Sequence, residues 1–141
     1  MIWKQSMDLS RIERVSEKSL SQHLGIEFTE VGPDYIEATM PVDDRTRQPF
    51  GLLHGGASVV LAETLGSVAA MLCIEDLDKQ VPVGVEINAN HLNSVQSGIV
   101  TGRCTPIKVG RRLHVWQIDI RDEQERPVCV SRITIAIVER R

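Results

Sequence analysis

Hydrophobic positions change period several times along the chain, and each change predicts an element. Near the start, Asp8 or Ser10 can cap a short amphipathic helix running to about His23, with Leu9, Ile12, Val15 and Leu20 as its apolar marks and Gly25 at its end. Residues 26–31 then read as a strand and Gly32-Pro33-Asp34 as a turn. Between Tyr35 and Val42 the even positions Ile36, Ala38, Met40 and Val42 are apolar and alternate with Glu37 and Thr39, the pattern of a half-buried strand. A polar loop over 43–52 leads into a long helical stretch, His54 to Ile74, which Asp76 to Pro82 breaks. From Val81 to Ala89 every odd position is apolar, and strand-like runs follow over 99–108, 113–121 and 128–138. Ile133, Ile135 and Ile137 give the last run an inward face. Strands grouped in this way, without β–α alternation, predict an α+β fold in which one antiparallel sheet wraps one long helix.

That helix is greasy on every side. Ala57, Val60, Leu61, Leu65, Val68 and Leu72 form one stripe at helical spacing, while Gly56, Val59, Glu63, Ser67 and Ala70 lie opposite. Such a helix is expected to be buried all round. Glu63 is the single formally charged residue between His54 and Glu75, and a carboxylate there is costly unless something pairs with it or uses it. One sheet covers one side of a helix, so a second copy of the chain is the economical cover for the other, and a homo-oligomer is expected. The stretch is long enough to cross a membrane. Its His-Gly-Gly opening, central Glu63 and many small residues argue against that.

Composition narrows the classes further. The 141 residues suit one domain over 1–141, and a net charge of -3 with a pI near 5.8 argues against nucleic acid as a partner. Cys73, Cys104 and Cys129 are odd in number and lack paired spacing, so they read as reduced thiols of a cytoplasmic protein. No secretory signal opens the sequence. The four histidines are scattered, so neither a metal nor a cofactor is expected.

The block RQPFGLLHGGASVVLAETLGS, with VGVEINANHL downstream, resembles the hotdog-fold acyl-CoA thioesterases, and within them the small bacterial enzymes acting on aroyl-CoA substrates. The similarity runs from the opening MIWK to SRITIAIV near the end. It implies an antiparallel sheet around a long helix, sites at a dimer interface, and dimers that pair into tetramers. It implies an acyl-CoA or acyl carrier-protein thioester as substrate. Glu63 would be the nucleophile or the general base on water, and the residues alone do not separate these roles. The Gly55 and Gly56 amides stand at the helix start, where N–H groups lack intrahelical partners, and the family pattern puts the Gly55 amide on the thioester oxygen. His54, Gln48 and Ser67 match positions that shape the site around the carbonyl, the leaving group and the water.

Coenzyme A contacts would fall at Gly84, at His91, Leu92, Asn93 and Ser94, and along Lys108, Val109, Gly110, Arg111, Arg112 and Leu113. Asn93 departs from relatives that carry arginine there. Taken without the family, Gly-Gly is a tight turn, His54 a cap, Ser67 merely small, Glu63 a paired structural carboxylate, and 108–113 a solvated hairpin turn. Val68 and Leu72 are the guessable acyl-pocket lining. A hotdog dehydratase using a His–carboxylate pair and a non-catalytic acyl-CoA binder are the competing readings.

Overall fold

The computed structural model describes residues 1–141. Its elements are α1 (Leu9–Val15), α2 (Leu20–His23), β1 (Glu27–Val31), β2 (Ile36–Pro41), α3 (Gly55–Leu72), β3 (Gln80–His91), β4 (Ile99–Val109), β5 (Leu113–Arg121) and β6 (Pro127–Glu139). The six strands form one sheet in the order β1-β2-β4-β5-β6-β3, antiparallel at every pairing. The expected α+β arrangement is therefore what the chain adopts, with α3 lying across the sheet's inner face.

Burial follows the alternation where the strands are central. Ile36, Ala38 and Met40 of β2 are fully buried, as are Ile118 and Ile120 of β5 and Ile135 of β6. The helix is seated low on this surface. A β-carbon on Gly66 would lie 2.5 Å from Ile133 Cγ2, and one on Gly102 of β4 would lie 2.7 Å from Leu65 Cδ1. Missing side chains on both surfaces thus bring helix and sheet together, and Leu61, Leu65 and Leu72 fill the space between.

Three expectations need correction. The first helix is two: α1 ends at Val15, Lys18 turns with φ 57°, and Ser19 restarts the chain by accepting from the Gln22 N–H. Ser19 competes for the backbone where the periodicity asks for a helix former, its hydroxyl donating to the Ser16 carbonyl. Val15 and Leu20 are consequently exposed, and Ile12 alone of the four marks is fully buried. Asp8 does cap α1, taking the Ser10 N–H at 3.0 Å.

The odd-position face of 81–89 is split. A bulge at Val85 resets the register, so Gly84 pairs with Ile135 and Ile87 with Ile133. Ile87 and Ala89 turn inward, but Val81 and Val83 share the outer face with Val138 and Ala136. Val83 and Val85 stay exposed on an edge strand that has no neighbour beyond it within this chain.

The long helix is not buried all round within one chain. Gly56 and Glu63 are exposed and Val59, Val60 and Ser67 half-exposed, leaving an open strip along its length.

The far end of α3 is closed by the N-terminal segment. Lys4 and Gln5 donate their N–H groups to the Leu72 carbonyl at 2.7 and 3.0 Å, and the Gln5 side chain donates to the Ile74 carbonyl at 2.7 Å. Trp3 anchors this strap, stacked on Trp116 with ring centroids 6.1 Å apart, its Nε1–H donating to the Gly32 carbonyl at 2.6 Å.

Candidate active site

The start of α3 gathers most of the polar residues singled out in the sequence. His54 is the N-cap, and its Nδ1 accepts the Gly56 N–H at 2.7 Å. That bond leaves the ring's proton on Nε2, so the imidazole can donate outward. It also removes Gly56 as a free donor, correcting the expectation of two open amides. The Gly55 N–H takes no acceptor inside the chain. His91, at the end of β3, lies against it: a β-carbon on Gly55 would be 2.9 Å from His91 Nε2. A residue assigned by resemblance to coenzyme A thus stands beside the one open amide at the helix start.

Gln48 is held by its own loop. Its Oε1 accepts from the Phe50 N–H at 2.6 Å and the Leu52 N–H at 3.4 Å, while its backbone N–H donates to the Leu52 carbonyl at 2.8 Å. Only the side-chain NH₂ remains for a ligand, so Gln48 can serve a carbonyl oxygen as donor but cannot accept from a water through Oε1. The loop, the first turn of α3 and the segment His91–Ser94 enclose a cavity of about 380 Å³. Asn93 lines it too, with one Nδ2–H donating to the Pro127 carbonyl at 2.6 Å and tying that segment to β6. Ser58 also lines the cavity and is buried. Sequence reasoning passed over it. Its place three residues after Gly55, on the same helical face, is the signal that would have found it.

A second group lies elsewhere on the chain. Glu63 projects from the open strip of α3 with no hydrogen bond to any residue of its own chain, and the Oε2 atom lies 3.3 Å from where a β-carbon on Gly84 would stand. Gly84, expected at coenzyme A, is therefore the neighbour of the carboxylate. Ser67 follows one turn later and is half-exposed. The strand row through Gly84 continues to Ile135 and His114, so the turn Lys108–Leu113 begins next to it. Lys108, Arg111 and Arg112 are exposed there, and the turn closes through the Gly110 N–H donating to Leu113 at 2.9 Å. Val68 and Leu72 are core residues facing the sheet and line neither group.

The two groups do not meet within one chain. At 1.5 Å per residue, Gly55 and Glu63 are roughly 12 Å apart along the helix axis. On the sheet the separation is larger: His91 pairs with Cys129 and Gly84 with Ile135, six residues or roughly 20 Å along β6.

Comparisons with known proteins are consistent with this architecture. A model of the thioesterase superfamily matches residues 50–129. The chain is 54% identical over 138 residues to the 1,4-dihydroxy-2-naphthoyl-CoA hydrolase of Escherichia coli strain K12, covering 98% of this chain and 100% of that protein. It is 52% identical over 138 residues to the proofreading thioesterase EntH of Cronobacter turicensis, covering 98% and 99% of the two chains. Its backbone is similar to the crystal structure of a thioesterase from Haemophilus influenzae, with a TM-score of 0.94 and 53% identity over 99% of this chain and 96% of that one.

Proposed function

The chain belongs to the thioesterase superfamily and is a thioesterase of the hotdog fold, and from that premise we propose that it hydrolyses aroyl-CoA thioesters such as 1,4-dihydroxy-2-naphthoyl-CoA. That would make it a hydrolase of menaquinone biosynthesis, acting in the cytoplasm as a dimer of dimers. The observation that carries the reading is the unpaired Gly55 amide at the positive end of an 18-residue helix, beside a cavity lined by Gln48 and His91. An N–H so placed suits the oxygen of a carbonyl under attack.

The attack is assigned to Glu63, as nucleophile or as base on water. Since Glu63 and Gly55 of one chain stand too far apart to share a carbonyl, the proposed site takes the carboxylate from one chain and the amide, Gln48 and His54 from a second. The open strip along α3 supports that arrangement, since an antiparallel crossing of two such helices would cover both strips. The turn carrying Lys108, Arg111 and Arg112 lies on the carboxylate's side and offers cations to the phosphates of coenzyme A. Ser67 orients the carboxylate or its water in this scheme.

A carrier-protein thioester is the second reading, favoured by the likeness to a proofreading thioesterase. Thiol release from a panel of aroyl-CoA and aryl carrier-protein thioesters decides between them by kcat/KM. Glu63→Gln is expected to lower kcat by about 10²–10⁴ on either substrate, the range for losing a general base or more. Near-normal turnover by that variant would remove the mechanism.

A further inference from the structure

We propose that Ser58 is a further catalytic residue, its hydroxyl giving a second hydrogen bond to the thioester oxygen beside the Gly55 amide. The inference rests on the site described under the proposed function. An oxygen that gains charge as a carbonyl is attacked is best held by more than one donor. Two adjacent amides are available by sequence, but the Gly56 N–H is spent on His54 Nδ1 at 2.7 Å, which leaves Gly55 the one open amide there, with the Gln48 NH₂ coming from the loop.

Ser58 stands three residues after Gly55, and side chains at that spacing share a helical face. The Cα–Cβ bond of a helical residue leans toward the N-terminus, which carries this hydroxyl over the turn that Gly55 begins. Ser58 is only 1% exposed, and it lines the same cavity as Gly55, Gln48 and His91. Its hydroxyl takes no partner among the chain's hydrogen bonds. A helical serine commonly returns its proton to the carbonyl four residues back. Here that carbonyl, on His54, already accepts from the Ala57 N–H at 3.0 Å and the Ser58 N–H at 3.3 Å. The hydroxyl opens on the cavity and is free for a ligand. Leu52 and Leu53 wall the cavity beside it, and the low polarity they confer strengthens any hydrogen bond made there.

The step balances without a further reagent. Oxygen of water forms a bond to the carbonyl carbon as Glu63 takes a water proton and the C–O π pair moves onto oxygen; where Glu63 itself attacks, the anhydride it forms is then hydrolysed by water, which frees the acid and restores the carboxylate. Ser58 O–H and Gly55 N–H hydrogen-bond that oxygen and keep their protons. When the pair returns, the C–S bond breaks and sulfur departs with its electrons, to be protonated by solvent water.

Ser58→Ala, assayed with benzoyl-CoA, is expected to lower kcat by about 10²-fold, the loss found when one such donor is removed, with KM within about threefold. Its Tm should not fall, because alanine replaces an unpaired hydroxyl in a helix; a serine that only supports packing would lower Tm along with kcat. Infrared spectra of carbonyl-¹³C benzoyl-CoA bound to Glu63→Gln supply the direct readout. Adding Ser58→Ala should move the carbonyl band to higher wavenumber, as loss of a donor requires. Wild-type kcat in Ser58→Ala, or a kcat loss with an unmoved band, overturns the assignment. Full turnover by Glu63→Gln alone overturns the underlying site, a result distinct from either.

Discussion

A methyl group on Gly55 would stand 2.9 Å from His91 Nε2 and 3.1 Å from its Cε1, at the mouth of the one open amide of the helix start. Gly55→Ala is therefore expected to cut kcat at least tenfold by displacing His91 and crowding the amide. Stability should change little, since the atoms crowded are the far end of the His91 side chain, which can turn away. Benzoyl-CoA kinetics set beside thermal midpoints check both halves. At this scale the sequence was legible wherever a residue was chemically out of place: Glu63 as the lone charge on α3, and His54 with two glycines at its start. It was silent wherever a role depends on one dihedral angle. Nothing in the letters says that His54 turns Nδ1 toward Gly56, that Gln48 spends its Oε1 on its own loop, or that Ser58 keeps its hydroxyl unpaired.

Between helix and sheet the margin is a single carbon. Gly66→Ala gains roughly 1 kcal/mol of helix propensity and loses roughly 1–3 kcal/mol to overpacking, because the new carbon would meet Ile133 Cγ2 at 2.5 Å with β6 behind it. Overpacking wins. A lower urea midpoint with an unchanged m-value is the expected result. The alternations of β2 and β6 and the extent of α3 were readable because one period held throughout each. The break between α1 and α2 was not, since Val15 and Leu20 keep helical spacing across a turn that Lys18 makes at φ 57°. Nor was the bulge at Val85: inserting one unpaired residue flips every later side chain, so an unbroken run of odd-numbered apolar residues straddles both faces of the sheet.

For the molecule as a whole, the distance between Gly55 and Glu63 makes subunit mixing a direct test. If a site draws one group from each of two chains, Glu63→Gln and Gly55→Ala are defective apart, but a mixed dimer holds one intact site. Co-refolding equal amounts should restore roughly a quarter of wild-type activity, for half the dimers are mixed and each has one good site of two. No recovery would mean that each chain works alone.

Stability of the whole carries its own pH signature. His114 is 3% exposed, and burial pushes its pKa below the ordinary 6.5, with a backbone bond to Gly110 opposing. The unfolded chain then binds more protons than the folded one between the lowered value and 6.5, so stability falls as pH drops through that window. Urea midpoints from pH 7.5 to 5 should decline for the wild type and flatten for His114→Gln.

The strap over the end of α3 has a use outside catalysis. Trp3 and Trp116 are the chain's two tryptophans, and they lie face to face at 6.1 Å with planes 7° apart. Stacked indoles couple their electronic transitions, so the near-ultraviolet dichroism of this protein is in effect a signal from one joint. A tag or truncation that loosens the first five residues would silence that signal while the far-ultraviolet spectrum of the sheet stays as it was.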